Sequence, residues 1–409
     1  DIVGLSFMSF QYSNAIKIAK IIKEYDSKIL VVIGGYHPSL MYEEMAESTD
    51  SQFIDFIVRG EGEATFRELI NALNSGTGYD NIKGLSYKTK GTFIHNPPRE
   101  LLPLDTIELP NRDVRFITNG FSIFGVNSDA VETSRGCTYN CKFCSISKIY
   151  GKSFRTYEIS RVIKDIEDAK KHGANALLIA DDNITLDLNR LETLCDEIIA
   201  SKLNNIHYTV QATVKGIAQS NMLVKKMSDA GIKMVFLGIE NPFKTNLDFL
   251  RKRSSNVEET KKAVKHLKDN NIISAGGFII GNPDDDEKTI WNIYDFAREL
   301  NLDVPVFSIL TPFLKTEIRD ELMEMGLVTN ADDCNKYETV SANVRTKYLT
   351  SEDLERIQRK MYDAYIINPR FVLYTQVRKQ YPKYFLKTAF QQIPSIIMSL
   401  MGKRIDNKR

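Results

Sequence analysis

The chain has 409 residues, enough for two or three domains and a large buried core. Hydrophobic residues make up 43% and charged residues 26%, ordinary globular values that exclude a disordered chain. Lys and Arg total 54 against 53 Asp and Glu, so the net charge of +1 provides no basic excess for nucleic acid or an acidic membrane surface. No apolar run approaches the ~18 residues that suggest a membrane span, and no signal peptide is visible. Five cysteines, three of them in one short cluster, point to metal binding rather than a disulfide framework. They predict a reducing, cytoplasmic compartment. The short basic spots at Arg251-Lys252-Arg253 and from Lys403-Arg404 to Lys408-Arg409 are read as solvated surface.

The chain opens at Asp1 inside the strand-like run Ile2–Phe7, which predicts a fragment or a processed chain. Residues 1–75 alternate strand and helix patterns. Strands are predicted at Ile2–Phe7, Ile29–Ile33 and Phe53–Val58, and Gly34-Gly35 follows the second. Ala15, Ile18, Ala19 and Ile22 form one helical face, and Phe66, Leu69, Ile70 and Leu73 another. Short strands alternating with helices predict a parallel sheet. Three such units fall short of the roughly five of a doubly wound domain. A flavodoxin-like domain truncated at its N-terminus is therefore expected.

Residues 76–128 are rich in turn residues and read as a linker with local structure, including a small hairpin from Gly84–Tyr87 and Thr92–His95. Residues 129–312 return to alternation. Strands are predicted at Ala130–Ser134, Ala176–Ala180, His207–Ala212, Met234–Ile239, Ser274–Ile280 and Val304–Leu310. Six strand–helix units fit a partial (βα)6 TIM-like barrel, in which chemistry gathers at the C-terminal strand ends. Residues 313–409 read as a helical C-terminal region. One helix follows Thr311-Pro312, and another starts at the capping-box pattern Thr350-Ser351-Glu352-Asp353. Phe385, Leu386, Ala389, Phe390, Ile393, Ile396, Ile397 and Leu400 make an apolar stripe around Pro394, read as packing on the barrel or a partner.

Cys137, Cys141 and Cys144 lie in the run Gly-Cys-Thr-Tyr-Asn-Cys-Lys-Phe-Cys, where the first barrel strand ends. Three soft thiolates in CxxxCxxC spacing suit three irons of a 4Fe–4S cluster and leave the fourth iron open. The alternative is a zinc knuckle. Structural zinc takes four ligands, and the nearest further Cys or His is His172, which ends a helix. Cys195, within a helical pattern, and Cys334, in a polar stretch, are read as ordinary free thiols.

With Phe143 before its last cysteine, this loop resembles the signature of the radical S-adenosylmethionine enzymes. Later strand ends agree in order. Leu178-Ile-Ala-Asp-Asp-Asn resembles the family's acidic segment, and Phe236-Leu-Gly-Ile-Glu240 its Gly-Ile-Glu motif. Gly276-Gly-Phe-Ile-Ile-Gly-Asn-Pro283 and Leu310-Thr-Pro-Phe resemble the turns after the fifth and sixth strands. Gly281-Asn-Pro-Asp-Asp-Asp-Glu departs from the usual Gly-x-Pro-Gly-Glu-Thr, and Thr-Pro-Phe-Leu-Lys-Thr from Thr-Pro-Phe-Pro-Gly-Thr. The resemblance covers residues 129–320. It implies that S-adenosylmethionine binds the open iron and is cleaved by one electron to a 5′-deoxyadenosyl radical, which attacks an unreactive C–H. It implies an external electron donor of flavodoxin or ferredoxin type and a small-molecule substrate. It also implies roles for particular residues. Asp181 or Asp182 would accept from the cofactor ammonium. Gln211 and Glu240 would bind ribose or methionine groups, while Ile279 and Phe143 would flank adenine or the cluster.

Residues 1–75 resemble the cobalamin-binding domain that precedes many members. Its Ser-x-Leu and Gly-Gly elements have counterparts in Ser6-Phe-Met8 and, after 25 residues, Gly34-Gly35. Gly60-Glu-Gly-Glu63 also matches. The cobalt-ligating histidine element would fall before residue 1, and His37 is misplaced for that role. Cobalamin binding by this chain is thus left open, and the bland alternative is a strand–helix turn at Gly34-Gly35. Methyl transfer to an unactivated centre is the leading function. The alternative is oxidative ring formation, as in the anaerobic magnesium-protoporphyrin ester cyclases, which Tyr365 to Pro369 before Arg370 loosely resembles. Methylthio transfer to tRNA would need a second cysteine triad, which Cys195 and Cys334 do not supply. A non-catalytic iron–sulfur or zinc module is the reading of another class.

Overall fold

Two faces of a small sheet each carry their own helix and their own core in the first of two units. The structure is a computed structural model that describes residues 1–118, 120–366 and 375–387. The first unit comprises residues 1–107, 142–153 and 310–345, and the second comprises 108–141, 154–309 and the described residues from 346 onward.

In the first unit, β1 (Ile2–Ser6), β2 (Leu30–Gly34) and β3 (Phe56–Val58) run parallel. Strands β4 (Leu85–Thr89) and β5 (Thr92–His95) continue the sheet antiparallel, in the order β1-β2-β3-β4-β5. One face buries Ala15, Ile16 and Ala19 of the helix Tyr12–Tyr25 against Val31, Ile33 and Ile57. The other buries Leu69 and Ala72 of the helix Gly62–Ser75 against Val32, Phe56 and Val58. Period-2 alternation in β2 and β3 feeds both cores. The hairpin read as part of a linker belongs to this sheet. Tyr87 pairs with Phe56, and Leu85 and Tyr87 enter the second core.

The second unit is an open sheet ordered β14-β13-β12-β11-β10-β7-β6. Strands β6 (Ser122–Ile123) and β7 (Val126–Val131) form a hairpin. From β7 the pairing is parallel through β10 (Ala176–Ile179), β11 (His207–Thr213), β12 (Ile232–Glu240), β13 (Ile273–Ile280) and β14 (Val304–Ile309). These are the six predicted strands of a partial barrel, with one shift. The predicted Ala130–Ser134 leaves the sheet after Val131. Ser134–Arg135 then forms β8, which pairs with β9 (Arg155–Thr156). The exposed edge of β14 is covered by the helix Ser351–Ile366. Gln358 Nε2 donates to Phe307 O at 2.6 Å, and Phe307 N donates to Tyr362 Oη at 2.9 Å. Such cover blunts an edge that would otherwise template foreign pairing.

The predicted C-terminal region divides. Residues 313–345 lie in the first unit, with the helix Glu317–Glu324. The Thr350 capping box forms as expected. Asp353 N donates to Thr350 Oγ1 at 3.2 Å, and Thr350 N donates to Asp353 Oδ2 at 3.2 Å. Phe385 packs with Val377, Tyr381 and Ile273 in the second unit. The remainder of the predicted stripe, Ala389 to Leu400, lies outside the described residues, as do Pro369, Arg370 and the basic tail.

Arg112 fastens the segment ahead of the partial barrel, with its side chain 1% exposed. It donates to Asp129 Oδ2 at 2.8 Å, Asp165 Oδ1 at 2.6 Å, Asp168 Oδ2 at 3.0 Å and Ala130 O at 3.2 Å. Removing one partner of a buried network strands the other charges. Arg112→Met is expected to lose about 3 kcal/mol or more of stability, read from the urea midpoint. An unchanged midpoint would contradict a supporting role.

His37 is buried, with Nδ1 3.1 Å from Ser9 Oγ and its ring 4.9 Å from that of Tyr12. Burial pushes its pKa down to about 4, against the smaller pull of Glu44. The unfolded chain therefore binds the proton first as pH falls. The stabilisation from neutral His37 is present above the unfolded pKa near 6.5 and is lost as pH falls toward 4. It amounts to roughly 3 kcal/mol. Between pH 6.5 and 4.5 the wild type should lose stability more steeply than His37→Gln in urea titrations. Parallel pH slopes would contradict this.

Candidate iron–sulfur and cofactor site

The cysteine loop is held from behind by the segment that follows β10. Asp181 is 1% exposed, and both of its oxygens are filled. Thr133 donates from N at 2.7 Å and Oγ1 at 2.5 Å, and Ser134 from N at 3.1 Å and Oγ at 2.6 Å. Burial pushes the Asp181 carboxyl up, while these four donors pull it back. Arg190 Nη2 adds bonds to Thr133 O at 3.1 Å and Tyr157 O at 2.6 Å. Next along the chain, Gly136 N donates to Asp182 Oδ2 at 2.8 Å, one residue before Cys137. The two neighbouring acids thus pin residues 133, 134 and 136, and this explains why the chain leaves the sheet after Val131.

This geometry divides the predicted pair of acids. A carboxylate offers about four acceptor positions, and all four on Asp181 are taken within the protein. It has no capacity left for a cofactor ammonium. Asp182 is half-buried and faces the start of the cysteine loop. Burial raises its carboxyl, the Gly136 bond lowers it and the Asp181 charge raises it again.

Cys137, Cys141 and Cys144 are all half-buried. Burial raises the thiol pKa of Cys137 and of Cys141. The loop passes covalently from the second unit to the first after Cys141. Lys142 is fixed within the first unit, where its Nζ lies 2.6 Å from Glu321 Oε1 and its carbonyl accepts from Ile318 N at 3.2 Å. Among the described residues, no three His, Cys, Asp or Glu side chains stand in the arrangement of a bound metal. The donor set nevertheless suits an iron–sulfur cluster. Thiolates are the usual ligands, and one buried donor near Cys137 is left without a partner. Asn183 is 3% exposed, and its Oδ1 accepts from Thr185 N and Oγ1 at 3.1 and 2.7 Å, which fixes the amide. Its Nδ2 is buried without a protein partner at hydrogen-bond geometry, yet the side chain lies close enough to Cys137 to favour the thiolate. Sequence reading quoted Asn183 in the acidic motif without assigning it a role.

The remaining predicted residues of the second unit sit at strand ends. Gln211 is exposed although Val210 and Ala212 beside it on β11 are buried. Ile279 on β13 is 8% exposed and mostly enclosed in the core. Glu240 ends β12 and pairs with Lys252 at 2.7 Å. Lys252, expected on the solvated surface, has a side chain only 10% exposed, which corrects that expectation. A basic run at a helix end reads as surface, and nothing local signals that one member turns inward. The altered turn after β13 is closed by Asp285, 0% exposed. Its Oδ2 accepts from Gly281 N and Asn282 N, both at 2.9 Å, and its Oδ1 from Asn246 Nδ2 at 2.8 Å.

In the first unit Ser6 and Gly34 are register partners, so the two predicted cobalamin-domain elements meet at one sheet end. Gly35 has φ +93°, and a Cβ there would come within 2.9 Å of Phe7 N and O and of Ser6 Oγ. Its glycine is required by the protein's own packing. A cavity of about 370 Å³ in this unit is bounded by Met8, Phe10, Tyr36, Phe143, Cys144 and Phe313, among others. Phe143 therefore stands at an apolar wall together with Cys144.

Residues 131–297 match the Radical SAM superfamily, and residues 1–70 match the B12 binding domain. An uncharacterised methyltransferase of Pyrococcus horikoshii is 32% identical over 375 residues, covering 91% of this chain and 80% of that protein. The anaerobic magnesium-protoporphyrin IX monomethyl ester cyclase of Rubrivivax gelatinosus is 26% identical over 408 residues, covering 96% of this chain and 72% of that protein. Among solved structures, the radical S-adenosylmethionine methyltransferase TsrM from Kitasatospora setae, with cobalamin and a [4Fe–4S] cluster bound, gives a TM-score of 0.66 at 19% identity. That match covers 81% of this chain and 68% of TsrM, and it speaks for the fold alone. Ordered strand-end motifs, a cobalamin-type sheet ahead of them and these relatives converge: the chain belongs to the cobalamin-associated radical S-adenosylmethionine enzymes.

Proposed function

We propose that the protein is a cobalamin-associated methyltransferase acting on an unactivated carbon or phosphorus centre of a small molecule. The observation that carries this reading is the CxxxCxxC loop pinned by Asp181 and Asp182. It lies in a chain whose residues 1–70 match the B12 binding domain, and whose Pyrococcus relative carries a methyltransferase name. When bound, the cluster supplies the electron for reductive cleavage of S-adenosylmethionine, and cobalamin supplies a carrier for the methyl group.

The chain's own residues hold and shield. Cys137, Cys141 and Cys144 would ligate three irons, and the buried Asn183 Nδ2, without a hydrogen-bond partner in the structure, would be available to the sulfur of Cys137 once the cluster is bound. Asp182 accepts from the cofactor ammonium. Gln211 and Glu240 offer polar groups for ribose or methionine, while Ile279 and Phe143 provide apolar walls. Ser6, Gly34 and Gly35 line the cobalamin side. The apolar lining of the cavity beside Cys144 keeps water from a reactive intermediate. Reduction comes from a flavodoxin- or ferredoxin-type donor, in a cytoplasm that keeps all five cysteines as thiols. Among the described residues no helix is long and apolar enough to cross a membrane. A second reading, oxidative cyclisation, is favoured by the cyclase relative that covers 96% of the chain.

The test is anaerobic reconstitution with iron and sulfide, then reduction with S-adenosylmethionine labelled in its methyl group. Wild type should form 5′-deoxyadenosine and pass the label to product, whereas Cys137→Ala should bind less iron and form none. 5′-Deoxyadenosine without label transfer would favour the cyclase reading. Identical behaviour of wild type and Cys137→Ala would contradict both.

The two acids should separate in the same assays. Asp181→Ala leaves four buried donors unpaired and should lower stability by about 3 kcal/mol or more, read by thermal or urea unfolding. Asp182→Ala should fold and weaken S-adenosylmethionine binding about tenfold, the loss of one charged hydrogen bond, read by equilibrium dialysis. Equal affinities of wild type and Asp182→Ala would remove Asp182 from the cofactor site.

A further inference from the structure

The cavity of the first unit is built largely from rings. Five aromatic residues, Phe10, Tyr36, Phe143, Phe313 and Tyr337, make up much of its wall. Its volume of about 370 Å³ equals that of roughly a dozen waters at ~30 Å³ each, which is room for one or two fused rings. All of its wall residues belong to the first unit, so that unit's own packing shapes it. Phe143, Cys144 and Ser145 bring the cysteine loop to the wall. Thr339, also in the wall, has φ +70°. A β-branched residue in the left-handed region is a backbone outlier, and strain of this kind collects at ligand clamps.

Charge decides what this cavity can hold. Among the described residues of the wall there is no Lys, Arg or His. Lys142 and Lys315, each next in sequence to a wall residue, pair with Glu321 and Glu44, and Lys336 beside Tyr337 is exposed. Arg319 donates to Tyr337 Oη at 2.6 Å and to Ala331 O at 2.9 Å. Ser9 Oγ lies 3.1 Å from His37 Nδ1. The one charged side chain of the wall is that of Glu338. Its Oε1 accepts from Ser341 N at 3.1 Å, and its Oε2 is buried without a hydrogen-bond partner. Proteins bind oxyanions with charge-assisted donors, Arg above all. This wall offers an anion no cation and one carboxylate, whereas an uncharged ring meets the faces and edges of other rings.

We propose that this cavity holds the methyl-accepting part of the substrate, and that this part is an uncharged aromatic ring system bearing the reacting carbon, not a phosphonate or phosphinate. The proposal rests on the methyl-transfer reading and narrows its acceptor from carbon or phosphorus to carbon. It adds no chemical step. The aromatic wall selects the ring by packing, and the Glu338 charge rejects anions.

The test is a fluorescence titration of the reconstituted full chain with two probes that share a ring, 2-naphthalenemethanol and 2-naphthylmethylphosphonate. The alcohol should bind tighter by about tenfold or more, the effect of bringing one unpaired charge out of water. Phe10→Ala, at a residue 40% exposed, should weaken the alcohol about fivefold, and Leu40→Trp, which fills the cavity, should weaken it further. Met8→Arg, which sets a cation on the wall at a residue 43% exposed, should strengthen phosphonate binding, and Glu338→Gln should narrow the gap between the probes. A phosphonate that binds wild type as tightly as the alcohol would overturn the proposal. So would an alcohol affinity that neither Phe10→Ala nor Leu40→Trp changes. Displacement of the alcohol by hydroxocobalamin would assign the cavity to the corrin and overturn it as well. Transfer of the methyl label to a phosphonate would sink this inference and leave the methyl-transfer reading standing. 5′-Deoxyadenosine formed without label transfer, beside selective binding of the alcohol, would remove the methyl-transfer reading and keep the ring as the ligand of the cavity.

Discussion

The arrangement of the candidate site depends on one buried carboxylate. Asp181 gathers four donors from Thr133 and Ser134, which lie far from it in sequence. A carboxylate 1% exposed to solvent is tolerable only with its lone pairs filled. The arrangement draws the chain out of the sheet after Val131 and presents it to Asp182, which holds Gly136. The next residue is Cys137. The loop that carries the chemistry is thus started from a rigid base at the C-terminal end of a parallel strand, the position where such sheets hold their ligands. Asn183, third in the same run, is buried and keeps its Nδ2 without a hydrogen-bond partner.

Much of this was legible in the sequence, for physical reasons that can be named. Parallel strands buried on both faces read as continuous apolar runs. Segments such as Ser274–Ile280 and Ala176–Ala180 therefore stood out, and β13 and β10 lie within a residue of them. The cysteine spacing is local, so it needed no fold to be seen. What escaped was set by distant partners. Asp181 and Asp182 look alike in sequence, and only the positions of Thr133, Ser134 and Gly136 assign one to the scaffold and leave the other facing the loop. Lys252 sits in a basic run that reads as surface, and it is buried in an ion pair with Glu240 at the end of β12. The hairpin β4–β5 looked like a linker because its pairing with β3 joins residues separated by a whole helix.

The first unit carries a tension between packing and ligand binding. Gly35 is demanded by close approach to Phe7 and Ser6, so its presence alone does not require a cofactor. Yet Ser6 and Gly34 come together in register where the cobalamin-domain resemblance places them. Cys144 and Phe143 belong to this same unit and share a cavity with residues that follow β1 and β2. The unit that resembles the cobalamin domain thereby holds the last cysteine of the CxxxCxxC loop. His37 is held neutral in the core beside Ser9 and Tyr12, a packing role consistent with its misplacement for cobalt.

The central claim is that three cysteines hold a cluster with one open iron. Mössbauer spectroscopy of the protein reconstituted with 57Fe, recorded with and without S-adenosylmethionine, tests it most directly. The account predicts that one iron in four changes its isomer shift when S-adenosylmethionine is added, while the other three do not. Four irons that ignore S-adenosylmethionine, or a site that takes zinc and no iron, would contradict it.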